Sequence, residues 1–539
     1  MCKTNSIRIK GLVLWILLGS GSTISAQNPQ AFLGSDAVAI QQMVALPEGG
    51  WILGGTFRGQ WSLEDTTLIS AGEEDLFLLR QPVFGPSDPL FFGGSRLEEK
   101  LGGMALGPQG DLFLTGSFWE TATFGADTLR ATGNPKALFL GRISKKGLPR
   151  WFRTLRGGRL KEIGNPSVLP NGDLITTGYF SDSLQVADTV LVSTAAETSS
   201  FLLCWSANGD LKWVRTWGGR GNIRALLVAT HLNNTLYVAG YYDDLLQTAD
   251  TLLTANTTDR DVFLLSATTD GHFRWVEKAG GVFDEEPTSL IVDEAGHPVL
   301  AGFLVGRMTI NGKLDIESRD GNADFFVLRY RPDSRIHWAY ALGGDQLQSA
   351  TALTVRGRQL FIAGRFQSNL DIPPFSAQAS GLFDAFLLTM DTSGTFLELQ
   401  TFTANDLLLP QSVGVDDRDS LFMGGTYLGH PQFPGVDLPR RQIFSGFLVP
   451  LTDDPLTSLS RPTLRPAWTV YPNPARDHLY VRGVAAGKDL IIFDLAGRIW
   501  WQGQVVNGGI PISSIPPGTY FLSDRSGAFS PVPFIHLAR

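Results

Sequence analysis

Non-repeated candidates for acid–base, metal or nucleophilic work are few in this chain of 539 residues. Two acidic runs stand out, Asp416-Asp417-Arg418-Asp419 and Glu285-Glu286, with one mixed run, Tyr241-Tyr242-Asp243-Asp244. Clustered carboxylates could hold a hard cation, but the first run lacks the glycine and the distal acid of a calcium loop, so it predicts a solvated turn. The other two runs could line one face of the fold, where the tyrosines would touch a sugar ring; exposed loop positions are the plainer expectation. Seven histidines are scattered without His-x-x-x-His or His-Glu spacing, and no Gly-x-Ser-x-Gly or phosphate-cradling loop occurs. Cys204 sits in the apolar run Phe201-Leu202-Leu203-Cys204-Trp205, which predicts a small buried hydrophobe rather than a reactive thiol. No catalytic residue, metal ligand or cofactor follows from these residues.

In a repeating chain a catalytic group breaks the repeat, whereas residues present in each copy hold the copies together. Asp75, Asp261, Asp324 and Asp384 recur just before a conserved-register phenylalanine, and they predict carboxylates that accept hydrogen bonds from turn backbone. Asp127-Thr128, Asp188-Thr189 and Asp250-Thr251 share another repeat position, again a turn, although Asp-Thr followed by Leu or Val resembles the O-glycosylation sequon of Bacteroidota.

The elements that would position any site are set by the period. A motif glycine recurs as Gly55, Gly116, Gly178, Gly240, Gly302, Gly364 and Gly425, at spacings of 61 or 62 residues. A second register, Phe77, Phe139, Phe201, Phe263, Phe326, Phe386 and Phe447, follows each glycine by 22 to 24 residues. Units of about 60 residues built from short apolar strands cannot bury both faces alone, so they must pack on one another. Pro47-Glu48-Gly49, Pro108-Gln109-Gly110 and Pro170-Asn171-Gly172 predict tight hairpin turns ahead of the glycine strand. A less regular excursion, an accessory hairpin or rim, follows it. Then come the phenylalanine strand and a fourth strand bearing Trp151, Trp213, Trp275 or Trp338, and most copies close on Gly-Gly. Four strands per unit predict an all-β fold, a seven-bladed β-propeller over residues 27–453. The seventh unit lacks its fourth strand, so the amino-terminal Gln30-Ala31-Phe32-Leu33-Gly34 is expected to supply it and close the ring.

Composition agrees. Sixty glycines, thirty prolines and only 18% charged residues favour turn-rich β structure. Residues 1–26 carry Lys3, Arg8 and Lys10 ahead of an apolar stretch and end on a small-residue cut site, predicting a secretory signal cleaved between Ala26 and Gln27. Losing those three cations takes the formal charge from -8 to -11. An acidic chain disfavours nucleic acid and anionic membrane surfaces as partners, and no transmembrane segment is expected in the mature chain.

Residues 454–469 read as a Pro/Ser/Thr-rich linker, and 470–539 as five or six short strands, enough for a small β-sandwich. This tail carries Tyr471-Pro472-Asn473-Pro474, the strand and turn Phe493-Asp494-Leu495-Ala496-Gly497-Arg498, and Pro517-Gly518-Thr519-Tyr520. It closely resembles the type A carboxy-terminal sorting domain of the bacterial type IX secretion system, an Ig-like sandwich. The resemblance implies a Bacteroidota source, type IX machinery as partner, and a secreted or outer-membrane surface destination via the periplasm. The ending Ile535-His536-Leu537-Ala538-Arg539 departs from the Lys-containing ends common there. The repeats are similar to propeller repeats of such secreted cargoes, and their Gly-x-x-x-Trp spacing is similar to that of quinoprotein dehydrogenases, which typically have eight blades. The functional expectation is a non-catalytic scaffold binding an extracellular glycan or protein. The alternative is a secreted propeller enzyme, a polysaccharide hydrolase or lyase or a quinoprotein-like oxidoreductase, with an asymmetric site in the central funnel.

Overall fold

A computed structural model describes residues 30–63, 66–82, 86–125, 127–194, 197–232, 234–451, 469–471, 475–482, 489–494, 498–504, 509–524 and 532–537. The expected signal segment with Ala26 and Gln27, most of the expected linker, and Pro472, Asn473, Pro474 and Gly497 lie outside the described residues. The fold is all-β, a propeller-type repeat of antiparallel four-stranded meanders. Each meander begins with an innermost strand: Ala37–Ala45, Lys100–Leu106, Lys161–Val168, Ile223–His231, Glu286–Val292, Gln348–Arg356 and Leu407–Val415. Consecutive innermost strands are neighbours, and the last lies beside the first. Phe422 and Leu448 accordingly share one core cluster with Val38, Ile40 and Leu53.

The two repeat registers meet across one hydrogen-bonded pair of strands. Gly55 is paired with Phe77, Gly116 with Phe139, Gly178 with Phe201, Gly240 with Phe263, Gly302 with Phe326, Gly364 with Phe386 and Gly425 with Phe447. On the other side of each glycine the innermost strand carries a β-bulge, as between Ile163 and Pro166 or Ala225 and Leu227. The bulge pushes a carbonyl oxygen inward, so that a Cβ built on any of these glycines would lie 1.8 to 2.4 Å from it. Only glycine admits that approach. The phenylalanine rings fill the space so vacated, all at most 1% exposed. Each such ring contributes roughly 1.5–3 kcal/mol of burial.

The accessory excursion is a hairpin, and it crosses to the preceding meander. Thr121–Phe124 and Asp127–Arg130 extend the sheet that ends in Asp88–Gly94, and Ser183–Val186 pairs with Pro149–Gly157. The tryptophan strand clasps in the opposite direction: the Trp151 and Trp275 indoles donate to Ala207 O (2.9 Å) and Pro332 O (3.0 Å) of the next meander. Gln30–Phe32 pairs antiparallel with Arg441–Leu451, with Ala31 opposite Phe447, and it is the fourth strand of the meander that begins at Leu407. Phe32 packs edge-on against Trp61 of the first accessory hairpin, with centroids 6.1 Å apart.

After the linker, Thr469–Tyr471, His478–Arg482 and Ile510–Pro511 form one sheet. A second sheet runs Ile499–Gln504, Asp489–Asp494, Gly518–Asp524, Val532–His536. Leu479, Leu490, Ile492, Ile510, Leu522 and Phe534 make the core between them. Strand alternation then turns Ile491, Phe493 and Phe521 outward, and these pack on the ring with Phe383, Leu407, Leu409 and Phe444.

Candidate functional site

Function in a repeat must come from positions where the copies differ. One register, opposite the residue that follows each motif glycine, holds Ala39, Lys100, Glu162, Arg224, Glu286, Ser349 and Leu409 in chain order. The fold imposes the same backbone on all of them. The side chains divide the ring end into a charged arc, Lys100 through Glu286, and an apolar arc, Leu409 through Ala39. A second register, three residues before each core phenylalanine, holds Glu74, Lys136, Thr198, Arg260, Ala323, Phe383 and Phe444: its charged members fall in the first, second and fourth meanders, and its two aromatic ones in the last two.

Hydrogen bonds and cation–π contacts link the charged arc within and across successive meanders. Tyr179 donates to Glu162 Oε2 at 2.9 Å. The Arg224 guanidinium lies 4.7 Å from the Tyr179 ring centroid and 5.9 Å from that of Tyr241, and its Nη1 donates to the Tyr241 hydroxyl at 3.2 Å. Arg260 covers the other part of the Tyr241 ring, at 5.2 Å, and pairs with Glu286 and with Asp284 (2.9 Å). At the opposite end of the arc Lys100 pairs with Glu98 at 3.2 Å. Arg224 Nε is buried without a hydrogen-bond partner. Such cation–π stacking is worth about 0.5–2 kcal/mol per contact.

Burial, then the neighbouring Glu162 charge, pushes the Tyr179 phenol far above its ordinary range; burial also pushes Tyr241 up. Both hydroxyls therefore stay protonated, Tyr179 donating to Glu162 and Tyr241 accepting from Arg224. Lys161, 3% exposed, donates to Gly158 O at 2.7 Å, and burial, followed by the nearby Lys136, brings its ammonium down to about 8. The arc therefore gathers cationic and anionic groups, Lys100, Glu162, Arg224 and Glu286, at one end of the ring. Among the described residues no group of three or more His, Cys, Asp or Glu side chains could hold a metal ion.

Of the runs singled out by sequence, Tyr241 joins the arc, but its ring is covered by Arg224 and Arg260, so it does not offer a free face to a sugar. Tyr242 is wholly buried in a core cluster, Asp243 accepts from Asn222 N (2.6 Å), and Asp244 pairs with Arg220. Asp416 closes its own turn, accepting from Arg418 N and Ser420 N at 2.9 and 2.8 Å. The recurring aspartates take turn amides: Asp75 from Ala71 (2.9 Å), Asp261 from Asn256 (3.0 Å), Asp324 from Arg319 and Asp384 from Ser380 (both 2.7 Å). Cys204 is 1% exposed and burial pushes its thiol up to about 12. In the tail, Asp494 accepts from Arg498 N (3.1 Å) and the Trp500 indole (2.7 Å), Tyr520 donates to Pro516 O (2.6 Å), Gly518 opens a strand, and Tyr471 is half-exposed against Tyr480.

Burial pushes several carboxyls up, Glu74, Glu99 and Glu285 far enough to be protonated at neutral pH. Burial raises Asp261 and Asp384 from 3.8 to about 6, Glu74 and Glu99 from 4.5 to about 8, and Glu285 from 4.5 to about 9. Glu285 Oε2 accepts from Gly281 N at 3.0 Å while Oε1 is buried without a partner. With folded values above unfolded ones, the folded state binds more protons between these limits, so stability present near pH 4 is lost as pH rises towards 9. The melting temperature is expected to fall across that window. Glu285→Gln should raise it by about 3 °C or more at pH 8 and leave it nearly unchanged at pH 4; equal effects at both pH values would refute the assignment.

No family model matches the chain. Among curated proteins it is 20% identical over 442 residues to an uncharacterized WD repeat-containing protein, L264, of Acanthamoeba polyphaga mimivirus, covering 67% of this chain and 32% of that one. It is 29% identical over 167 residues to the regulatory protein FlaEY of Caulobacter vibrioides, covering 30% and 17%. The chain thus spans less than a third of either relative. Among solved structures it is similar to a PL25 ulvan lyase (TM-score 0.40, 10% identity, 74% of this chain and 93% of that one). It is also similar to a Bacteroides caccae protein of unknown function (TM-score 0.32, 10% identity, 61% and 89%).

Proposed function

We propose that this chain is a seven-bladed β-propeller cargo of the type IX secretion system, ending in an Ig-like sorting sandwich and delivered to the cell surface or medium. Its work there is non-catalytic: it binds a glycan or protein ligand at one end of the ring. The observation that carries this reading is the charged arc from Lys100 to Glu286, laid on a backbone register that the remaining blades fill with Ala39, Ser349 and Leu409. Protonated Tyr179 and Tyr241 hydroxyls and a stacked Arg224 with its Nε unpartnered suit hydrogen-bonded recognition better than proton abstraction. The tail supports the export half through Tyr471, Asp494, Gly518 and Tyr520 in the order of the sorting motif.

The test has two arms. In a type IX-competent bacterium, deleting 470–539 is expected to leave the protein in the periplasm; continued surface display would refute the sorting role. Protein recovered from the surface or medium is expected to bind members of a glycan array, and Arg224→Ala should weaken that binding at least tenfold. Depolymerisation of an array polysaccharide would assign the arc to an enzyme instead.

A further inference from the structure

The apolar arc is not open. Phe521 (0% exposed) and Phe493 (6%) stand on the outward face of the tail's four-stranded sheet, and they are covered by the ring. Phe521 meets Phe383 edge-on with centroids 6.3 Å apart, and Phe493 meets Phe444 at 5.7 Å. Alternation explains why the tail can do this: Leu490, Ile492, Tyr520 and Leu522 fill its own core, so its outward residues are free to serve a second one. Charge follows the same division. Beyond the apolar contact the tail places Arg498 against Glu98, with Glu73 at 3.8 Å, and Asp494 within electrostatic reach of Lys100. Arg476 does the same for Asp284 at the far end of the arc. The tail therefore lies across the end of the ring that carries both arcs.

We propose that the apolar arc is a docking surface whose occupant in the intact chain is its own carboxy-terminal sheet, and that the tail caps the charged arc while it is docked. A leaving tail would uncover Phe383, Leu407, Leu409 and Phe444 together with the charged arc, so ligand binding and tail departure are linked: whatever binds the arc favours the undocked state. The capping role rests on the reading of the arc as the ligand site; the docking itself does not.

The experiment compares the intact chain with Phe493→Glu/Phe521→Glu, which touches only the outward face. Hydrogen exchange of residues 379–384 and 407–409 is expected to rise at least tenfold in the double variant while residues 490–492 and 520–522 stay protected. Unchanged exchange on the ring would overturn the docking. An independent arm uses the wild-type chain with a protease site inserted between residues 455 and 465: after cutting, the pieces are expected to stay together on size exclusion, and the double variant's pieces to separate. Immediate separation of the wild-type pieces would equally overturn it. Polygalacturonate, a carboxylated polysaccharide, and dextran, a neutral one, then serve as ligand probes. Binding of either at least tenfold tighter to the double variant supports the cap, and equal binding to both forms overturns it. Binding by neither form, with the exchange rise intact, overturns the glycan reading and leaves the docking standing.

Discussion

Gly55→Ala is expected to leave the chain largely insoluble or destabilised by more than about 3 kcal/mol, above the usual cost of an extra methyl in a packed core. The added Cβ would sit 1.8 Å from the Ala39 carbonyl oxygen and 3.2 Å from the Phe77 ring. The first of these is backbone inside a bulge, so nothing can swing aside, and the only relief is to unpair the innermost strand. Gly518→Ala is the control: its Cβ would meet the Tyr520 ring at 3.5 Å, ordinary contact, on a backbone that any residue adopts. Thermal melts of the two variants should differ by many degrees. A Gly55→Ala protein that melts with wild type would sink the account of the glycine register.

Removing residues 27–34 should have an effect of similar size. The meander beginning at Leu407 then ends on Arg441–Leu451 with its outer edge unpaired, and Trp61 loses Phe32. Loss of a buried phenylalanine alone costs about 3–5 kcal/mol, and an unpaired edge invites association between chains. The expected outcome is a lowered melting temperature with concentration-dependent aggregation. A synthetic peptide spanning residues 27–36 should reverse both by pairing with the vacant edge. A truncated chain with unchanged melting and no response to peptide would show that the amino-terminal strand contributes nothing to closure.

The repeat was legible because it is written redundantly: a glycine and a phenylalanine at fixed offsets declare a common backbone even to a reader without coordinates. Their mutual pairing was not legible, because the glycine and phenylalanine strands are joined through an irregular excursion that leaves no signature of their register. The crossing of each accessory hairpin to the preceding meander was hidden for the same reason. The charged arc was missed on different grounds. Glu286 drew notice beside Glu285, but Glu162 and Arg224 are single residues in separate copies, 62 positions apart, and neither neighbours nor motif betray them. Aligning the copies on their glycines and asking where one column turns from apolar to charged would have found them. Tyr241 drew notice as an aromatic beside acids, yet the arginines stacked on it come from elsewhere in the chain. The tail's second, outward-facing core was equally out of reach, since Ile491, Phe493 and Phe521 look like any other strand hydrophobes until their partners are known.

The contact between Phe32 and Trp61 also bears on synthesis. Both residues precede Arg441–Leu451 in the chain by several hundred residues, and Gly34 bridges Trp61 directly. The amino-terminal segment can thus be parked on the earliest-made hairpin, its free rim already oriented, while hundreds of residues follow. The partner it awaits, Arg441–Leu451, is made late. Circularisation then becomes a docking event between a waiting half-seam and an arriving one, so a defect at either is felt only once the later strand has been made.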